Sequence, residues 1–167
     1  MNNNETLIQF YNHLDADVGP YESHHKDRLQ CKKGCSACCV DDLTVFEVEA
    51  DHIVKNCSEV LQEIPHALGA CAFLNADGAC RIYAHRPYVC RTQGLPLRWF
   101  DDVDEQVVEF RDICSLNETE EPIETLGADL CWEIGPYEGR LVMLQMQKSG
   151  REMRRVSLRS LFERVDK

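Results

Sequence analysis

The chain has 167 residues, 44% of them hydrophobic, and a formal net charge of −11. That length can bury an ordinary core without covalent staples. Its acidic balance repels phosphates and argues against nucleic acid as a partner, and no apolar run reaches the ~20 residues of a membrane span. Ten cysteines are the compositional outlier.

The first stretch, MNNNETLIQFYNHLDADVG, carries Glu5, Asp15 and Asp17 and has neither the basic start nor the apolar run of a secretory leader. A cytoplasmic location is therefore expected, with reduced thiols rather than a disulfide scaffold. Leu7, Phe10, Tyr11 and Leu14 repeat at helical spacing, and Gly19-Pro20 should stop that helix. A second helix is expected through YESHHKDRLQ into Cys31, leaving His24 and His25 on exposed helix surface. Cys31, Cys35 and Cys38 then follow at i, i+4 and i+7, one side of a helix, although Gly34 argues for a turn or break. Cys39 points away from Cys38, so one tetrahedral ion would find both hard to use. Two ions, or a polynuclear cluster, suit the pair better.

Thr44 and Glu47 have capping-box spacing. The helix they open places Phe46, Ala50, Ile53, Val54 and Cys57 on one stripe, which makes Cys57 a core residue. In CAFL-NADG-ACRI a turn over Asn75 to Gly78 predicts a hairpin with Leu74 facing Ala79 and Cys71 facing Ile82. Cys71 and Cys80 would share a face of it. A second hairpin should turn at Asp101 to Asp104, pairing Leu97 with Val108 and Leu95 with Phe110, and so return Cys114 opposite Arg91 near Cys90. Ile123, Leu126, Leu130, Cys131 and Ile134 form another helical stripe, again assigning Cys131 to the core, with Gly135-Pro136 as its end. Helices from about Tyr137 to Lys148 and through Leu158, Leu161, Phe162 and Val165 complete the pattern. The basic tail from Lys148 reads as a solvated helical face.

These elements give an α+β fold: a small, mostly helical single domain, 1–167, with short β-hairpins organised around a cysteine-ligated metal site. The cysteine-cluster core runs from about 31 to 114 and is flanked by N-terminal and C-terminal helices. Cys31, Cys35, Cys38, Cys39, Cys71, Cys80, Cys90 and Cys114 are the candidate metal ligands, because thiolates spaced by two or three residues and repeated at a distance are how a chain surrounds a soft metal or an iron–sulfur cluster. Eight divide evenly into two four-thiolate zinc sites, and iron–sulfur clusters also take four. His85, midway between Cys80 and Cys90, is a candidate nitrogen ligand, though such a histidine more often only packs nearby. Arg86 and Arg91 either donate hydrogen bonds to thiolates or pair with the acidic surface.

CKKGCSACC followed by CAFLNADGACRIYAHRPYVCR resembles the YkgJ family of cysteine-cluster proteins. The likeness covers about Cys31 to Cys114, including the four-cysteine run, the G-x-C-x-I-Y stretch and the R-P-x-x-C-R end at Arg86 to Arg91. It implies a zinc- or iron-chelating domain of the kind found in small bacterial proteins and within flagellin lysine methylases. Thr92-Gln93-Gly94 departs from it where a bulky apolar residue is expected. The C-x3-C-x2-C spacing of Cys31, Cys35 and Cys38 is also similar to that of radical S-adenosylmethionine enzymes. The chain is too short for their barrel, however, and a fourth cysteine follows at once.

Two function classes follow. One is a metal-binding protein whose zinc or iron–sulfur cluster is structural or is passed to a protein partner. The other is a small iron–sulfur enzyme doing redox or radical chemistry. Saturated four-thiolate sites favour the first, since catalytic metals keep an open position. No Ser/His/Asp ordering or phosphate loop points to other catalysis.

Overall fold

The computed structural model describes residues 5–32, 34–119, 121–150 and 152–163. In chain order it holds α1 (Leu7–His24), β1 (Thr44–Phe46), α2 (Glu47–Asn56), α3 (Ser58–Leu61), α4 (Tyr88–Thr92), β2 (Leu97–Val103), β3 (Gln106–Asp112), β4 (Trp132–Glu133), α5 (Ile134–Ser149) and β5 (Arg155–Ser157). Helix exceeds strand, 45% against 15%, which is the expected mixture. No helix of the described residues is long and apolar enough to cross a membrane. Two compact units divide the chain: Met1–Cys31 with Arg91–Leu141, and Lys32–Cys90 with Val142–Lys167.

In the first unit, α1 opens on a capping box in which Thr6 Oγ1 accepts the Gln9 N–H at 3.3 Å and Gln9 Oε1 accepts the Thr6 N–H at 2.9 Å. Phe10, Tyr11 and Leu14 are buried along its stripe. Gly19-Pro20 does not stop this helix, which continues through Pro20 to His24. Contacts beyond the proline hold the last turn: the Tyr21 ring stands edge-on to Trp132, 5.5 Å between centroids, and the His25 N–H bonds the Tyr21 carbonyl. The second helix expected through YESHHKDRLQ is therefore the end of α1 followed by a turn. His25 is buried, not exposed, and its Nε2–H donates to the Leu130 carbonyl at 2.7 Å. Phe10, Tyr137 and Trp132 form an aromatic chain, with centroids 5.8 and 4.8 Å apart.

The first unit's sheet has the order β3-β2-β4. β2 and β3 pair as a hairpin, but Leu97 faces Asp112 rather than Val108. The turn sits at Asp104-Glu105, both left-handed with φ of 51° and 64°, because a two-residue turn of that conformation matches strand twist. The register moves by an even number of residues, so each side chain keeps its expected face. Cys114, however, is no longer placed opposite Arg91. The helix expected over 123–134 is also absent from the described residues. The chain instead makes 3-10 turns at Ile123–Thr125 and Ala128–Leu130 and then β4. The Arg111 guanidinium takes the carbonyls of Ile123 and Leu126 at 3.0 and 2.7 Å, and Trp132 N–H bonds the Pro96 carbonyl, so the sheet recruits this backbone. Gly135-Pro136 opens α5 instead of closing a helix. A proline in a first turn forfeits no helical hydrogen bond.

In the second unit, β1 pairs antiparallel with β5, Thr44 opposite Ser157. Thr44 is thus a strand residue, and α2 begins three residues later on Phe46 without a side-chain cap. Its stripe is as expected: Phe46, Ala50, Ile53 and Cys57 are buried, with Val54 packed against them. Leu158, Leu161 and Phe162 join the same core from β5 and the 3-10 turn Arg159–Glu163, not from a terminal helix. Val165 lies outside the described residues. The CAFLNADGACRI segment turns at the expected place, but Leu74 bridges Cys80 rather than Ala79. Asn75 Oδ1 accepts the N–H groups of Asp77 and Ala79, which tightens the turn and shifts the pairing by one residue.

Candidate metal centre

The second unit gathers six of the eight candidate cysteines: Cys35, Cys38, Cys39, Cys71, Cys80 and Cys90. Cys35, Cys38 and Cys39 do not lie on a helix. Their segment is a succession of tight turns, in which Cys35 N–H bonds the Lys32 carbonyl and Cys39 N–H the Ser36 carbonyl, each at 2.9 Å. Gly34, at φ +88°, supplies the left-handed residue that breaks any helix. This loop packs backbone-to-backbone on the 75–79 turn. A Cβ on Gly78, itself at φ +74°, would sit 3.2 Å from the Gly34 carbonyl oxygen. Cys71 N–H then donates to the Cys39 carbonyl at 2.9 Å, so the two cysteine groups are joined through their main chains.

Cys90 arrives on α4. Glu49, only 3% exposed, accepts the Tyr88 N–H through Oε1 at 2.8 Å and caps that short helix. Sequence reasoning missed Glu49. Its signal was a carboxylate three residues after Phe46 and four before Ile53, inside an apolar stripe.

The electrostatics tie these thiols together. Burial pushes the Cys90 thiol up to about 12, and charge on Cys71, Cys80 and Cys38 adds to the rise, followed by Glu49. Burial raises Cys71 and Cys80 as well, and Cys71 is raised further by Cys80. Cys38 and Cys39 are hydrogen-bonded to each other: the Cys39 thiol donates, which lowers Cys38 and raises Cys39, and Cys71 and Cys90 raise Cys39 further. The Arg86 guanidinium, 4.2 Å above the Tyr83 ring, favours thiolate at Cys38 and Cys80, and Arg81 does the same at Cys80. Charge on one of the five thiols Cys38, Cys39, Cys71, Cys80 and Cys90 thus opposes charge on the others, while Arg86, Arg81 and Arg159 offset it.

All ten cysteines are thiols, none in a disulfide. Among the described residues no three Cys, His, Asp or Glu side chains converge as a preformed metal cage. The donor set nonetheless fits a soft metal. Clustered, partly buried thiols, four of which resist ionisation while Cys38 ionises more easily, are stabilised together as thiolates when a cation takes the place of their protons.

In the first unit, Cys31 and Cys114 meet through Asn117. This fully buried residue donates its N–H to the Cys114 carbonyl at 2.7 Å and directs Nδ2 at Cys31 Sγ, 3.5 Å away. Gly94, within the Thr92-Gln93-Gly94 stretch where a bulky apolar residue was expected, must be small: a Cβ there would lie 2.6 Å from Cys31 Sγ. Nothing in the sequence pattern singled out Asn117.

The remaining residues take less direct places. His85 Nδ1 lies 3.2 Å from His52 Nε2, so its ring pairs with another imidazole. Arg91 makes two hydrogen bonds to Asp15 and covers the Tyr11 ring at 4.1 Å, the ion-pairing role. Cys57 and Cys131 are 6% and 1% exposed, core residues as expected. Burial raises the Cys57 thiol, and charge on Cys80 raises it further.

The CxxCxxCC family model, described as "Putative zinc- or iron-chelating domain", matches residues 30–115, just over half of the chain. No curated protein and no solved structure matches.

Proposed function

This chain belongs to the CxxCxxCC family of zinc- or iron-chelating domains, and we propose that it chelates zinc ions or an iron–sulfur cluster through Cys31, Cys35, Cys38, Cys39, Cys71, Cys80, Cys90 and Cys114. The single observation that carries this reading is that the second unit draws together the segments of Cys38, Cys39, Cys71, Cys80 and Cys90, with Cys71 N–H on the Cys39 carbonyl at 2.9 Å and Leu74 bridging Cys80. Those five exceed the four sulfurs that one tetrahedral ion takes, which favours more than one ion or a cluster. Zinc would supply structural cross-links, and a cluster would supply the same plus an electron-transfer capacity. The protein's part is to hold the sulfurs: Glu49 fixes the turn of helix under Cys90, the Gly34–Gly78 contact seats the four-cysteine loop, and Arg86 offsets the negative charge. The bound metal is structural or is passed to a protein partner.

Anaerobic purification followed by elemental analysis and an absorption spectrum tests it. Zinc leaves the protein colourless, whereas a cluster gives a brown protein with acid-labile sulfide. Protein that purifies, and after incubation with zinc or with iron and sulfide remains, free of both metals overturns the proposal.

A further inference from the structure

We propose that Asn117 is the positioning residue for Cys31, gripping its sulfur as a ligand through an amide N–H···S hydrogen bond while tying it to the Cys114 segment. The inference rests on the chelating function above. Asn117 is 0% exposed, and its polar atoms are committed on every side. Its backbone N–H donates to the Cys114 carbonyl at 2.7 Å. Oδ1 accepts the Gln30 N–H at 2.8 Å. One Nδ2 hydrogen goes to the Gly94 carbonyl at 2.7 Å, and the other faces Cys31 Sγ at 3.5 Å. The amide has only one orientation here, because the Gln30 N–H can only donate and the Gly94 carbonyl can only accept.

Bracing the backbone alone would use three of these four bonds. The fourth is aimed at the first cysteine of the four-cysteine run. A hydrogen bond to sulfur strengthens when the sulfur is a thiolate, as it is on a metal. Gly94 makes the same point from the other side. At φ +99° it leaves empty the space that a Cβ would occupy, 2.6 Å from Cys31 Sγ and 3.2 Å from Asn117 Nδ2. Three segments far apart in sequence thus leave room for one sulfur. Cys31 is exposed as a residue, while the amide that holds it is buried.

The test uses the full chain, stripped of metal, with Co2+ as a spectroscopic probe and Zn2+ as competitor. Asn117→Asp keeps the shape and removes the Nδ2 donors. It should weaken Co2+ and Zn2+ binding by about 10–100-fold and reduce the thiolate-to-cobalt charge-transfer band, as expected for loss of an outer-shell partner. In a Cys31→Ser background the same change should cost nothing further. An equal loss in both backgrounds means that Asn117 only braces the loops, and the inference is overturned. Undiminished binding by Asn117→Asp also overturns it, while leaving the chelating function intact. A wild-type chain that takes up neither Co2+, Zn2+ nor iron with sulfide overturns the chelating function itself. Should Asn117→Asp fail to fold, NMR of the Asn117 side-chain amide in the full chain decides: an Nδ2 proton that shifts on Zn2+ loading in the wild type and not in Cys31→Ser supports the inference, and one that shifts in neither or equally in both overturns it.

Discussion

Cys90 shows what a desolvated thiol does to a metal-free fold. Its folded value, about 12, lies above the ordinary 9.0. The native state therefore holds a proton that the unfolded chain releases first. The stability linked to that proton is fully present below about pH 9 and is lost as pH rises from there through about 12. Thermal melts of metal-stripped protein should show this alkaline loss, and Cys90→Ala should flatten it; an unchanged slope in the variant would contradict the assignment. Cys57 offers the contrast. Cys57→Ala should keep full metal occupancy and lose ~1 kcal/mol of packing, whereas Cys90→Ser should lose metal, since a hydroxyl is a poor donor to a soft ion. Elemental analysis of the two variants beside a denaturant titration separates the roles. At this scale much was legible: the buried stripe of Ala50, Ile53 and Cys57 follows from spacing alone. Glu49, Gly94 and Asn117 were not. Their roles depend on which segments meet, and a single buried polar residue carries no period.

The β2–β3 hairpin shows where element boundaries escape the sequence. The expected turn at Asp101 to Asp104 went with pairing Leu97 to Val108 and Leu95 to Phe110, and its residue type suits a turn. The chain instead carries β2 through Asp101 and Asp102 to Val103 and turns at Asp104-Glu105. Twist compatibility outweighed turn preference. Both turn residues are non-glycine in the left-handed region, which costs roughly 1–2 kcal/mol each for an ordinary side chain and less for aspartate. Replacing the pair by Asn-Gly should therefore stabilise the first unit by ~1 kcal/mol and raise its thermal midpoint, with no change in metal content. A lowered midpoint would mean that the turn is held by something other than twist. The 123–134 segment failed as a helix for a different reason. Its apolar spacing is real, but Arg111 and the Pro96 carbonyl take the backbone groups a helix would need. Periodicity reports which side chains are buried and not which partner satisfies the main chain.

At the scale of the whole molecule each unit is discontinuous: the chain leaves the first at Cys31, re-enters it at Arg91, and leaves it again within α5. No composition shift marks those crossings, so they were invisible in the sequence. The two units are also built differently. The first has an 18-residue helix, a three-stranded sheet and an aromatic chain from Phe10 to Trp132. Between Gln62 and Pro87 the second has only turns, one isolated bridge and a single 3-10 helix. Ordering such a segment costs backbone entropy that so few regular hydrogen bonds offset poorly. Thiolate–metal bonds are the natural compensation. Removing metal with a strong chelator should therefore raise amide exchange most in 62–90 and in the 34–43 loop, while α1 and the β2–β3 hairpin keep their protection. Hydrogen exchange with mass-spectrometric readout, on metal-loaded and metal-stripped protein side by side, measures this directly. Identical exchange in the two forms would mean that Cys71, Cys80 and Cys90 are held by packing alone. A uniform rise across both units would mean that the metal supports the fold as a whole rather than chiefly the turn-built segment between 62 and 90 and the 34–43 loop.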